Sequence, residues 1–139
     1  MKMTRMTNAV KTLALVLLAL ALGSGSAFAQ QQKESFTPER FAALQQQGAL
    51  VLLDVHADWC STCAQQQRIL AEYREQHPDV PLHVLQIDFD SQKQYVRQFR
   101  VPRQSTLILY RGDERQWFSV AETDPAKIFA ALNAAAAGR

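Results

Sequence analysis

Both cysteines of the chain lie in one stretch, Asp54-Val55-His56-Ala57-Asp58-Trp59-Cys60-Ser61-Thr62-Cys63, spaced C-x-x-C. One helical turn separates such residues, so the two thiols come within disulfide reach of each other. The stretch follows an apolar, strand-like run (Leu50 to Val55) and opens a helix-like run from Cys60 to about Gln76. The first turn of a helix carries unpaired backbone N–H groups and a partial positive charge. A Cys60 thiolate would be stabilised there, and its pKa would fall below the free value of about 8.5. Cys63 would sit one turn deeper. This asymmetry suits thiol–disulfide exchange, in which Cys60 attacks a substrate disulfide and Cys63 resolves the mixed disulfide.

Two other uses of the pair are weaker. A structural disulfide between residues three apart closes a very small loop and constrains the unfolded chain little. Zinc asks for four ligands, yet there is no second C-x-x-C, and His56, His77 and His83 have no recognisable ligand spacing. Taken singly, each histidine reads as a surface or strand-end residue, and no metal site is assigned. Asp54 closes the apolar run six residues before Cys60. A carboxylate there is costly unless paired or protonated. It is either a solvated strand end or a working acid, and its place beside the cysteines favours the second.

The elements that must position these residues follow from patterning. Thr37-Pro38 reads as an N-cap with proline at the first helical position; Phe41 and Leu44 give that helix an apolar side and Gly48 ends it. Leu50-Val51-Leu52-Leu53 is apolar throughout, as in a central strand covered on both faces. In the helix after the cysteines, Ile69, Leu70 and Tyr73 face the core, while Gln65, Gln66, Gln67 and Arg68 look partly solvated; His77-Pro78-Asp79 breaks it. Leu82 to Ile87 is the next strand. Asp90-Ser91 reads as the cap of a third helix with Tyr95, Val96 and Phe99 inward. A strand ending at Tyr110, a turn at Arg111-Gly112-Asp113-Glu114 and a strand Trp117–Ala121 form a hairpin. Trp117 and Phe118 should cover the sheet. Asp124-Pro125 caps a last helix with Ile128, Phe129 and Leu132 inward, and Ala134 to Ala137 trail off. With a short edge strand near Ser35, the expected class is α/β: three α/β/α layers around a mixed sheet of four to five strands.

The N-terminus reads as a targeting segment. Lys2, Arg5 and Lys11 are followed by an apolar Leu13–Leu22 and by small residues ending Ala27-Phe28-Ala29. That is a signal peptide over residues 1–29, cleaved after Ala29, with a domain over 30–139. An uncleaved anchor is the alternative; lipid anchoring is not expected, since no cysteine is near. Export implies an oxidising compartment, the periplasm of a bacterium. Cleavage removes three positive charges, leaving twelve Lys and Arg against thirteen Asp and Glu, net −1. Nothing in that balance calls for nucleic acid or an anionic membrane surface.

The cysteine stretch resembles the active site of thioredoxin-fold oxidoreductases. An apolar strand with a buried acid leads into Trp59-Cys60-Ser61-Thr62-Cys63, and the likeness extends over nearly all of the chain after residue 35. It implies the thioredoxin fold, Asp54 as the proton relay for Cys63, and Trp59 shielding the site. His56 stands where the family has an aromatic. The family's lysine that pairs near the acid aligns with Val84, with His83 on the opposite face. The family's cis-proline directly precedes the Thr-Leu of the matching strand; here that residue is Ser105, preceded by Gln104, while Pro102 falls three residues early. Trp59, Gln104 and Ser105 are therefore the expected substrate-binding residues. A non-proline cis bond costs about 2.5–4 kcal/mol, so the bond before Ser105 is expected to be trans. Ser105 would tune redox poise or substrate choice, or else open the thiolates to a soft metal or an iron–sulfur cluster.

The resemblance implies a thiol–disulfide oxidoreductase acting on protein disulfides. No nicotinamide or flavin motif is present, so no cofactor is assigned and electrons pass to or from another protein. A reductant served by a membrane donor of the DsbD type is the expected direction. A disulfide-donating oxidase, a metal- or cluster-binding module and a redox sensor with one dedicated partner are the alternatives.

Overall fold

Leu50 to Leu53 is apolar at every position because the strand it forms, β2 (Leu50–His56), is covered on both sides. The computed structural model describes residues 33–138; the expected signal peptide lies outside them. Among the described residues, β1 (Glu34–Ser35) and α1 (Pro38–Gln46) precede β2. After it come α2 (Ser61–Gln76), β3 (Leu82–Asp88), α3 (Lys93–Gln98), β4 (Thr106–Arg111), β5 (Glu114–Val120) and α4 (Pro125–Ala137). The sheet order is β1-β3-β2-β4-β5. β1 and β2 run parallel to β3, β4 runs antiparallel to β2, and β5 antiparallel to β4. This is the expected three-layer α/β arrangement with a mixed sheet.

Side chains alternate along β2. Leu50 and Leu52 pack with Ile69, Leu70 and Tyr73 of α2 and with Ile128 and Leu132 of α4. Val51, Leu53 and Val55 pack on the other face with Phe36, Phe41 and Leu44, and with Val96 of α3. Asp54 shares the even-numbered face and so looks toward the α2 layer. Each aliphatic side chain taken fully out of water contributes roughly 1.5–3 kcal/mol, which gives β2 a rigid seat at the sheet centre.

The helix starts follow their caps. Thr37 Oγ1 accepts from Arg40 N–H at 3.2 Å and Asp124 Oδ1 from Ala126 N–H at 2.9 Å, each with a proline next in the chain. Gly48 takes the left-handed φ of 65° that lets the chain leave α1. Three sequence expectations differ. Asp90-Ser91 does not cap α3, whose N-cap is Gln92 without a side-chain bond. Instead Asp88 Oδ1 accepts from Asp90 N–H (3.1 Å), Ser91 N–H (2.6 Å) and Ser91 Oγ (2.6 Å), because the end of β3 aims it at that turn. β5 begins at Glu114, since pairing continues down to Arg111↔Glu114. Ala134 to Ala137 stay helical. Alanine favours helix, and the Arg111 guanidinium donates to Ala135 O at 3.0 Å and Ala136 O at 2.8 Å, satisfying carbonyls that a helix end leaves open.

Candidate active site

Three chain segments meet at the C-terminal end of β2: the turn into α2, the residues just before β4, and the segment after β5. Cys60 N–H donates to Ala57 O at 3.0 Å, closing the turn Ala57–Cys60. Cys60 is then the N-cap of α2, with extended φ of −90° and ψ of 106°, and its Sγ accepts from Cys63 N–H at 3.0 Å. The sulfur stands where Ser, Thr or Asp oxygens usually cap a helix. Cys60 and Cys63 are joined as a disulfide with Cα atoms 5.3 Å apart. Cys63 is wholly buried; Cys60 retains 5% exposure. The positive end of the helix and the donated N–H both favour a thiolate on Cys60.

Trp59 stands at the rim, 64% exposed, with its indole Nε1 donating to Asp90 Oδ2 at 2.7 Å. Release from the capping duty expected of it leaves Asp90 free for this bond. Asp58 is solvent-exposed, and its Oδ1 lies 3.5 Å from His56 Nε2.

Ser105 is fully buried beside the sulfurs. Its Oγ lies 3.1 Å from Cys60 Sγ and 3.4 Å from Cys63 Sγ. The backbone is held on both sides: N–H donates to Val55 O (2.8 Å), and O accepts from Ala121 N–H (2.8 Å) and Gln66 Nε2 (3.1 Å). Its φ is 63°, in the left-handed region. The peptide bond before it is trans. Gln104 precedes it, half-buried, and Pro102 is exposed three residues back.

Gln66 belongs to the site and is not solvated. It is fully buried, and its carboxamide Nε2 also donates to Glu122 O at 2.9 Å, tying α2 to both the Ser105 loop and the end of β5. Its spacing from Cys63 is the signal that finds it: residues three apart share a helix face, so a side chain three past a buried cysteine is itself turned inward.

Asp54 is fully buried. Its Oδ2 accepts from Gln67 Nε2 at 2.6 Å, while Oδ1 has no hydrogen-bond partner among the described residues. Burial pushes its pKa above the usual carboxylate range, against the pull of Lys33, His56, the Gln67 hydrogen bond and Arg74. The residue beside Asp54 on β3 is Gln86; Val84 pairs with Leu52 and packs in the core. The neighbour of the acid is therefore not Val84 but Gln86, two residues on, which carries an uncharged carboxamide. His83 does lie on the opposite face, near Glu34 and Arg40.

No group of three or more His, Cys, Asp or Glu among the described residues is placed to hold a metal ion. A cavity of about 340 Å³ lined by Leu50, Asp79, Val80, Pro81, Arg111 and Ala136 lies at the opposite end of β2 and does not reach the sulfurs. Cys60, the less buried of the pair, instead lies next to an exposed tryptophan.

The family model described as Thioredoxin matches residues 30–134. Among solved structures, Trxlp from Edwardsiella tarda is 40% identical over 73% of this chain and 98% of that one, with a TM-score of 0.68. Oxidized mitochondrial thioredoxin 3 from Saccharomyces cerevisiae is 17% identical over 78% of this chain and 99% of that one, TM-score 0.63. A mutant thioredoxin from Halobacterium salinarum is 20% identical over 75% and 89%, TM-score 0.65. The last two likenesses are of fold alone. No curated protein matches the sequence.

The buried carboxyl makes stability depend on pH. A raised native pKa means that the folded state holds its proton longer than the unfolded one. Stability from this group is therefore full below the ordinary carboxylate pKa of about 3.9 and is lost as pH rises through the raised native value. Asp54→Asn removes that loss. Its urea midpoint is expected to match wild type near about pH 3 and to exceed it near about pH 8. A variant less stable than wild type at the higher pH would show that ionised Asp54 is well paired.

Proposed function

Because this chain belongs to the thioredoxin family, we propose that it is an exported thiol–disulfide oxidoreductase that reduces protein disulfides in the periplasm. The observation that carries the reading is the Cys60–Cys63 disulfide at the start of α2, with Cys60 Sγ capping the helix. Cys60 is the nucleophile, being the less buried residue of the pair and the one at the helix N-terminus. Cys63 resolves the mixed disulfide. Asp54 takes the Cys63 proton as that thiol attacks; a carboxyl raised by burial is closer to the pKa a neutral-pH base requires. Trp59 and Gln104 form the rim against which a substrate cysteine is laid, with Ser105 buried beside the sulfurs.

Export is supported by the basic, apolar and small-residue order of Lys2 to Ala29. Among the described residues no helix is long and apolar enough to cross a membrane. With no nicotinamide or flavin motif in the chain, the electrons come from a membrane donor of the DsbD type. The family resemblance and the buried Asp54 support the reducing direction. A specific observation favours a second reading, disulfide donation. Cys60 Sγ is met by both the Cys63 N–H and the Ser105 hydroxyl, and donors to a thiolate stabilise the reduced form, which makes a dithiol more oxidising.

Equilibrating the mature protein with a glutathione redox buffer, read by Trp59 fluorescence, separates the two directions. A potential near about −270 mV, the thioredoxin value, is expected; one near about −120 mV would make the protein a disulfide donor. Cys63→Ala is expected to accumulate mixed disulfides between Cys60 and several exported proteins, resolved on a non-reducing gel. One partner alone would indicate a dedicated sensor, and none would remove the exchange mechanism. Asp54→Asn is expected to slow disulfide reduction at neutral pH by about 10- to 100-fold, at or below the low end of what a positioned acid–base group contributes. An unchanged rate would take the proton relay away from Asp54.

A further inference from the structure

We propose that the Ser105 hydroxyl is a shared hydrogen-bond donor to the two sulfurs, and hence a catalytic residue of the exchange. The inference rests on the dithiol reading above and adds a chemical role to a position that in the resembling family holds a proline. Ser105 Oγ stands 3.1 Å from Cys60 Sγ and 3.4 Å from Cys63 Sγ. These sulfurs are its hydrogen-bond partners among the described residues, and no other acceptor competes for its proton there. A hydroxyl has one proton to donate, so it serves one sulfur at a time. Neither sulfur of a disulfide bears charge, but a thiolate does, and a hydrogen bond to a charged acceptor is the stronger kind.

The backbone around Ser105 keeps that hydroxyl in place. Its N–H and O are bound to Val55, Ala121 and Gln66, which lie on three different elements or their ends. The residue is wholly buried, so water does not replace the hydroxyl. Its φ of 63° is unfavourable for any residue but glycine and lies far from the φ of about −65° that a proline ring fixes. Strain of this kind persists where the surrounding structure over-determines it, and it gathers at functional sites. Glycine would sit here without strain and without a hydroxyl. What serine brings to the position is the oxygen between the sulfurs.

The steps balance without any proton leaving the serine. The Cys60 thiolate uses its electron pair to bond one sulfur of the substrate disulfide. The substrate S–S bond breaks, and its second sulfur leaves as a thiolate. Before this step the Ser105 O–H points to Cys60. Cys63 then gives its proton to the Asp54 carboxylate and attacks Cys60 Sγ. The Cys60–substrate bond breaks, and the first substrate sulfur leaves with the electron pair. In this step the O–H turns to Cys63 as its charge builds. The dithiol is oxidised by two electrons and the substrate disulfide is reduced by two. In the reverse direction the same hydroxyl supports Cys63 as the leaving thiolate.

The test is the pH profile of Cys60 alkylation by iodoacetamide in the reduced protein, for wild type, Ser105→Ala and Ser105→Gly, with the modified residue read by mass spectrometry. Other titratable groups of the surrounding segments, Asp54 and His56 of β2, Asp58 of the turn and Asp90 beside Trp59, are the same in all three. Both variants lose the hydroxyl, so both midpoints are expected to move to higher pH, with the thiolate fraction below the midpoint reduced about tenfold. The glutathione equilibrium should shift toward the disulfide by a similar factor, about 30 mV more reducing for tenfold. A backbone role alone would behave differently: alanine keeps the strain and glycine relieves it, so thermal stability would separate the variants and both alkylation midpoints would stay at the wild-type value. Wild-type midpoints in both variants, or a shift in Ser105→Ala alone, overturn the role of the hydroxyl while leaving the dithiol reading intact. A wild-type dithiol that never equilibrates with glutathione overturns that reading and this role together.

Discussion

The hydrogen bond from Cys63 N–H to Cys60 Sγ is the constraint around which the rest is arranged. It requires a helix to begin at that sulfur, and so requires the strand before it to end within a few residues. β2 supplies that strand, seated at the sheet centre between two apolar layers. A capping sulfur is placed by backbone geometry rather than by its own rotamer alone. The nucleophile is therefore aimed by the fold, and the same helix start that aims it stabilises its charge. Everything else near the sulfurs is tied to this point through short links: Ser105 through Val55 and Gln66, and Trp59 through Asp90.

Asp54 shows how a central strand accommodates an ionisable group. Its even-numbered place on β2 sends it under α2 instead of into water. Gln67 reaches it with one strong donor, and Gln86 stands beside it as an uncharged neighbour. The cations that bear on it, Lys33 and Arg74, come from the residue before β1 and from α2. Desolvation outweighs them and raises the carboxyl's pKa. A raised pKa suits a group that must both accept and return a proton beside a thiol.

Much of this was legible from residue types. The cysteine spacing, the apolar run before it, the Thr37 and Asp124 caps and the helix-ending Gly48 are local signals with local causes, and the elements form where they point. What was not legible depends on partners distant in sequence. Register between β2 and β3 sets Gln86 opposite Asp54, and no local pattern within Leu82–Asp88 distinguishes it from Val84. Asp88 caps the turn before α3 because β3 ends facing it, whereas composition pointed to Asp90-Ser91. Gln66 looks solvated in a run of polar residues, yet its three-residue offset from Cys63 turns it inward. The left-handed Ser105 could not be foreseen from its type; it follows from backbone bonds to three separate segments.

The indole of Trp59 is held by a carboxylate thirty-one positions further along the chain. The rim beside Cys60 is thus a discontinuous surface, assembled from the turn before α2 and the loop after β3. No linear peptide copied from the C-x-x-C stretch reproduces it. A partner that reads this rim recognises the folded state itself, so an unfolded chain that still carries both cysteines presents reactive thiols but not the recognition face. Specificity of exchange and completion of folding are in this way the same event.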